Sequence, residues 1–264
     1  MPSLRRGFLL LLILGISSTL LHSQGIPPSD PQAVAFAAQS IAALTNGNVV
    51  KDVTLTGSVT WSAGNGSHTG TATLLALGAG ESRIDLALPR GTRTEIRDIS
   101  TGIPLGKWIG ESGKTGAVAY HNCMTDAVWF FPALGSLSAG NNIVLSYIGP
   151  ETRNGSSVQH IRSYMYQAGP TTLPDPLSQQ LSTMDFYLDA ATMVPFSVVF
   201  NTHPDGNASV NISNEIEFSN YQLVSGILVP FRIQKYLSGT LIADLSVSSA
   251  VFNSGIPISD FSAQ

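Results

Sequence analysis

Residues 184–200 read MDFYLDAATMVPFSVVF, and the order of residue types in this stretch decides the fold. Apolar, aromatic and β-branched residues predict a strand at Met184–Leu188 and another at Pro195–Phe200. Between them, Asp189–Thr192 has the composition of a turn, because an Asp side chain hydrogen-bonds the backbone that follows it. We expect Asp189 to cap this turn. The stretch therefore predicts a β-hairpin.

The hairpin pattern continues on both sides of this stretch. Alternating apolar and polar residues, separated by Gly- and Asn-rich turns, predict about ten or eleven strands in total. Consecutive hairpins form an antiparallel sheet, and a sheet this wide tends to curl. The further predicted strands are 49–61, 69–77, 82–88, 92–99, 143–149, 157–166, 212–221, 227–237 and 241–252.

Two helices are predicted beside the sheet. Asp30 suits an N-cap and Pro31 the first helical position, while Asn46-Gly47 has the composition of a helix end. The second helix is predicted at Thr125–Phe131, where Pro132 limits its extension. A helix across the concave side would cover the curled sheet. The apolar face of the first helix is predicted to contain Val34, Ala37, Ala38, Ile41 and Leu44.

Residues 1–23 have the three parts of a secretory signal. Arg5 and Arg6 supply the positive start, Phe8–Leu21 is an apolar run broken only by small residues, and Ser23 precedes the expected cleavage point. As a helix this run would rise about 21 Å, less than the roughly 30 Å hydrocarbon core of a bilayer, which favours a cleaved signal over a membrane anchor. We expect a periplasmic or secreted mature protein.

The mature chain is predicted to be one domain. The Pro-rich connection at Pro170–Pro176 has the same hairpin pattern on both sides, so residues 24–264 are assigned to a single mostly β domain. Charged residues make up 11% of the chain, against about 25% in a typical globular domain. Removing Arg5 and Arg6 moves the formal net charge from −4 to −6. Nucleic-acid binding, which needs a basic surface, is therefore not expected.

The sequence offers little catalytic chemistry. The single cysteine, Cys123, cannot form an internal disulfide and is expected to be a small buried residue. The mature histidines lack the spacing of metal ligands, so no metal or cofactor is predicted. His121, beside Asn122 and Cys123, is the candidate for nucleophilic catalysis if an Asp or Ser meets it in space.

The C-terminal third resembles a known family. Phe186–Pro195 is similar to the strand, Asp-x-x-Thr-x-x-Pro turn and strand of the LolA-like periplasmic lipoprotein carriers. Phe218–Tyr221 and Gly226–Phe231, followed by Asn253 and Phe261, resemble the closing hairpins of that family. The resemblance covers residues 184–261 and consists of turns and core positions, so it concerns fold more than function.

This resemblance implies an unclosed antiparallel β-barrel with helices covering its concave side, where known members hold acyl chains. One departure concerns Ala76–Gly78, which stands where the carriers have a basic residue followed by Pro. Burying a methylene contributes about 0.8 kcal/mol, whereas association costs roughly 4–15 kcal/mol, so a ligand must bury a long chain or several rings. The residues expected to line the apolar cleft are Val34, Ile41, Leu44, Trp129, Phe130 and Phe131.

The functional hypothesis is therefore an exported, non-enzymatic binder or carrier of lipid, acyl chains or an acylated protein. It includes peripheral contact with the cell envelope and no catalytic residues. The first alternative is a structural or protein-interaction module of the envelope that uses exposed strand edges. The second alternative is a secreted hydrolase that uses His121 or another histidine.

Overall fold

A single antiparallel sheet dominates the molecule. The computed structural model describes residues 26–62, 66–78, 80–125, 142–167 and 175–263. Within these ranges, 13 strands pair in the order β6-β5-β4-β3-β2-β1-β13-β12-β11-β10-β9-β8-β7. Their bounds are β1 (Asp52–Trp61), β2 (His68–Leu77), β3 (Glu81–Leu88), β4 (Gly91–Asp98), β5 (Leu105–Ile109), β6 (Thr115–Val118), β7 (Ile143–Arg153), β8 (Ser156–Met165), β9 (Met184–Asp189), β10 (Pro195–Thr202), β11 (Ile212–Val224), β12 (Ile227–Leu237) and β13 (Thr240–Phe252).

The sheet is an unclosed barrel, as predicted. Adjacent strands along the chain form hairpins, and the first strand pairs with the last, with Val53 opposite Phe252. The end strands β6 and β7 are not paired with each other in the described ranges. Alternate residues of β1, such as Leu55 and Val59, are buried in the core, whereas Ser58 between them is exposed. This period of two gives the sheet one apolar, concave face.

The helix at Pro31–Thr45, α1, begins and ends where the sequence predicts. The Asp30 side chain accepts hydrogen bonds from the backbone N–H groups of Gln32 and Ala33, and Asn46 ends the helix in the left-handed region at φ 49°. The helix packs against β7 and β12. At its start, the Asp30 N–H donates to the Leu145 carbonyl of β7 at 2.8 Å. It therefore crosses the concave side of the sheet, as expected.

The buried face of α1 differs from the predicted face. Val34 is 40% exposed, and Ala38 is also exposed. The contact with the sheet is made through small side chains, which let the helix backbone approach the strands closely. The buried stripe of α1 is therefore rotated by about one residue from the predicted stripe, which includes Val34 and Ala38. Its fully buried members are Ala33, Ala37, Ser40 and Leu44.

Three elements were not predicted. The short strands β5 and β6 raise the strand count above ten or eleven, and α2 (Pro176–Ser182) follows the Pro-rich connection, where Asp175 caps it. Of the helix predicted at Thr125–Phe131, only Thr125 is within the described residues, in a turn. Among the helices that the structure describes, none has the length and apolar character needed to cross a bilayer.

Candidate functional site

The concave face of the sheet forms an apolar wall along most strands. We call the space that this face encloses the hollow. Cross-strand neighbours on this face continue from β9 to β4, because the registers place residues of the same face opposite one another. The wall includes Leu55, Val59, Trp61, Leu74, Ile84, Leu86, Phe186, Val198, Ile216, Ile233 and Leu245, all of which belong to one buried cluster.

A cavity of about 190 Å³ opens on this face, beside β3 to β6. Ile84 belongs both to the apolar cluster and to the cavity wall, so the cavity is continuous with the hydrophobic core. Trp108 on β5 and Cys123 also line it. Unlike the predicted cleft, this cavity has charged walls as well, which are contributed mainly by Arg93, Glu95 and Arg97 of β4 and by Asp205.

An ionic network lies inside the hollow. Arg93 contacts Glu95 at 2.7 Å, and its guanidinium lies 4.8 Å from the ring centre of Trp61. Lys235 of β12 is 7% exposed, and its positive charge attracts the Glu95 carboxylate from the other side of the curled sheet. Burial alone would raise the pKa of Glu95, but the charges of Lys235 and Arg93 outweigh it and hold this pKa below its ordinary value. The hollow therefore keeps Glu95 ionised.

Arg97 shapes the far wall of the cavity. Its Nε donates to the Cys123 carbonyl at 2.6 Å, and its Nη1 donates to the Gly80 carbonyl at 3.0 Å. These bonds tie the segment after β6 to β4 and the β2–β3 turn. Cys123 itself is 1% exposed, in agreement with the expected buried thiol. Its Sγ lies 3.7 Å from the Val118 carbonyl oxygen.

The predicted cleft residues of α1 have different surroundings. Leu44 is fully buried in the core cluster, Ile41 is half-buried, and Val34 faces away from the sheet. The remaining predicted residues, Trp129, Phe130 and Phe131, lie outside the described residues. The lining of the ligand cleft by these six residues therefore stays a prediction. Most of the residues that the structure brings to the cavity come from β3 to β6 instead.

His121 lies against another histidine. The rings of His121 and His203 are 5.8 Å apart, edge to face, and the Nε2 atom of each is buried without a hydrogen-bond partner in the described ranges. The side chain of the adjacent Asn122 bonds the backbone of His203 at 2.8 Å in both directions. This arrangement fixes the turn after β6 against the end of β10. Among the described residues, no hydrogen bond joins His121 to an Asp or a Ser, so its catalytic role stays a prediction.

On the other face of the sheet, one histidine joins two carboxylates. His160 of β8 is 5% exposed; its Nδ1 lies 2.6 Å from Glu151 of β7, and its Nε2 lies 2.7 Å from Asp185 of β9. An imidazole that donates from both nitrogens is positively charged. Burial alone would lower the pKa of His160, but its hydrogen bonds to Asp185 and Glu151 raise it. We call these three residues the His160 bridge; Arg162 also binds Asp185, at 2.8 Å.

Sequence reasoning missed the charged part of the hollow for a specific reason. In β4, polar residues occupy both faces: Arg93, Glu95 and Arg97 alternate with Thr94 and Asp98. A strand face with three charged side chains is normally assigned to solvent. The pairing of β4 with β3 indicates the opposite, since Arg93, Glu95 and Arg97 lie opposite Leu86, Ile84 and Ser82 of β3.

The fold is shared by several solved structures. A domain from Vibrio parahaemolyticus, provisionally named an outer membrane lipoprotein-sorting protein, is 13% identical, with a TM-score of 0.55 over 87% of this chain and 96% of its own. A LolA superfamily protein from Nitrosomonas europaea is 10% identical, with a TM-score of 0.54 over 87% and 97%. A DUF1329 family protein from Desulfovibrio piger is 8% identical, with a TM-score of 0.55 over 89% and 98%.

By sequence alone, no protein-family model matches the chain and no curated protein matches it significantly. At identities of 8–13%, the structural likeness concerns the arrangement of the chain and not its ligand. The protein therefore has the LolA-like fold, as the residues of its C-terminal third predict.

Proposed function

We propose that the protein is an exported, non-enzymatic binder or carrier of lipids or acyl chains in the periplasm or cell envelope. The observation that carries this proposal is the cavity of about 190 Å³ on the concave face, which continues the hydrophobic core at Ile84. A concave pocket that combines apolar side chains with polar groups suits a small amphiphilic ligand. The secretory features of residues 1–23 support the location, and the LolA-like fold supports the ligand class by analogy.

The charged wall narrows the ligand to an amphiphile. A fatty tail can lie along Ile84 and Trp108, which are the apolar parts of the cavity wall. A polar head then lies beside Arg93 and Glu95, which are already paired and can exchange hydrogen bonds with it. A purely hydrocarbon ligand would displace water from these charged groups and offer them no hydrogen bond in exchange, which costs free energy. The acyl chain can belong to a free lipid or to an acylated protein.

Binding of a fluorescent fatty acid tests this function. We expect the purified protein to bind cis-parinaric acid and to release co-purified lipid detectable by mass spectrometry. Ile84→Trp fills part of the cavity and removes room for about two methylenes, so it should weaken binding roughly tenfold. Ala87→Trp is the matched control, because Ala87 lies on the same strand but on the exposed face. Absence of both bound lipid and probe binding would contradict the proposal.

A further inference from the structure

Packed side chains close one end of the cavity beside β3 to β6. Its far wall consists of Arg97, Val118 and Cys123. Arg97 joins two segments there, because its Nε donates to the Cys123 carbonyl at 2.6 Å and its Nη1 donates to the Gly80 carbonyl at 3.0 Å. A Cβ atom on Gly106 would lie 2.7 Å from the Val118 Cβ and 2.8 Å from the Cys123 Sγ. These two side chains therefore fill the space above the glycine.

The cavity is also closed toward the centre of the sheet. The Arg93 guanidinium lies 4.8 Å from the ring centre of Trp61. The gap that these two side chains share with Leu86 has no room for a water molecule. Trp61 and Leu86 both belong to the buried apolar cluster. A ligand in the cavity therefore meets packed core side chains on this side.

The charged pair of β4 is more accessible to water than the far wall. The Arg93 and Glu95 side chains are 32% and 22% exposed, whereas Cys123 is 1% exposed. A polar head can therefore stay hydrated beside Arg93 and Glu95 while the tail extends toward the far wall. Asp205 also borders the cavity and is exposed, so a chain that passes it enters water and gains no further burial.

The volume of the cavity limits the length of the tail. A methylene occupies on the order of 30 Å³, as a water molecule does in the liquid, so a cavity of about 190 Å³ holds about six methylenes. Burying each further methylene raises affinity about fourfold. A methylene that finds no room contributes nothing or forces neighbouring side chains apart. Affinity should therefore increase with chain length only up to a limit.

We propose that the far wall sets the acyl chain length, and that the ligand is a medium-chain amphiphile with about six carbons beyond its polar head. Val118 and Cys123 then determine specificity, because they meet the end of the tail. A longer chain binds no more tightly, because its extra carbons stay in water or press against the far wall. This inference rests on the proposed function and deepens it by naming the length of the bound chain.

Displacement of cis-parinaric acid by saturated fatty acids tests this limit. The series consists of butanoate, hexanoate, octanoate, decanoate and dodecanoate, each below its micelle concentration. We expect affinity to rise about sixteenfold per step as far as octanoate, and by less than about twofold per step beyond it. Val118→Ala removes two carbons from the far wall, so it should move the limit to decanoate. Val247→Ala is the matched control, because Val247 is buried in the core cluster and does not line the cavity.

Two results would overturn the length limit: affinity that keeps rising at the same rate through dodecanoate, or the same limit in the wild type and in Val118→Ala. Either result leaves the proposed function standing, because the fatty acids still bind. The wild-type series decides the length limit even where Val118→Ala does not fold. If neither the probe nor any acid of the series binds, the carrier function is refuted and the length limit with it.

Discussion

Replacing the central residue of the His160 bridge should destabilise the protein by about 2–4 kcal/mol. In His160→Gln, the amide can donate to Glu151 or to Asp185, but one hydrogen bond to an ionised group is lost, which is worth about 1.5–3 kcal/mol. Removing the positive charge also leaves two carboxylates close together. The loss is limited because the Glu151 side chain is 38% exposed and can be rehydrated, while Asp185 keeps Arg162.

The pH dependence of stability provides a second readout of the same bridge. The folded pKa of His160 is raised above its ordinary value of 6.5, so its contribution is complete below pH 6.5 and is lost as the pH rises through the folded pKa. The pKa of Asp185 is lowered: burial alone would raise it, but His160 and Arg162 outweigh that effect. The contribution of Asp185 is present above pH 3.8 and is lost as the pH falls through its folded pKa. The bridge therefore stabilises the folded protein most between about pH 3.8 and pH 6.5.

Urea unfolding of wild type and His160→Gln at pH 5, 6, 7, 8 and 9 would measure both effects. We expect the free-energy difference to be largest near pH 5–6 and to shrink above pH 6.5, and the melting temperature at pH 6 to fall by about 4–16 °C. His68→Gln, at the half-buried start of β2, is the control. A difference below about 1 kcal/mol, or one that is constant from pH 5 to pH 9, would refute a charged His160 shared by two carboxylates.

Two further changes test the turn and the ionic network. Asp189→Ala should destabilise the protein by about 1–2 kcal/mol in urea unfolding, because Asp189 Oδ1 accepts from two backbone N–H groups and from the Thr192 hydroxyl at 2.7 Å. Asp189→Asn should retain most of this stability. Equal losses in the two variants would contradict the capping role. Lys235→Met should raise the pKa of Glu95, because only Arg93 then opposes the effect of burial. Carbon NMR of the Glu95 carboxyl would measure this pKa. An unchanged titration curve would contradict an interaction between Lys235 and Glu95 across the hollow.

Turns and strands were predictable wherever local chemistry determines them. The Asp189 turn and the caps of α1 depend on hydrogen bonds between residues close in sequence, so residue type and spacing indicate them directly. The strands β1 to β3 have a clear period of two. In contrast, β5 includes Gly106 and Lys107 and has no apolar alternation, so its pairing with β4 depends on tertiary structure. The sequence-based strand count was therefore too low.

The sequence predicts the type of candidate site, a concave face under a helix, but not the residues that line it. A concave face under a helix follows from the hairpins and α1, but the position of Lys235 inside the hollow depends on the curvature that brings β12 opposite β4. Similarly, the choice between Ala33 and Val34 as the buried residue of α1 depends on how closely the helix approaches the sheet. Contacts between residues far apart in sequence decide both features, and no local pattern contains them.

The pairing of β1 with β13 has a consequence for how the molecule is made. Asn253 Oδ1 accepts from the Lys51 backbone N–H, and these residues are 202 positions apart. The centre of the sheet is thus assembled from the two extremities of the strand sequence, and β1 lacks one neighbour until β13 has been synthesised. Such distant pairing slows folding. Circular permutants opened between β6 and β7, which bring β13 and β1 closer along the chain, should therefore acquire structure faster.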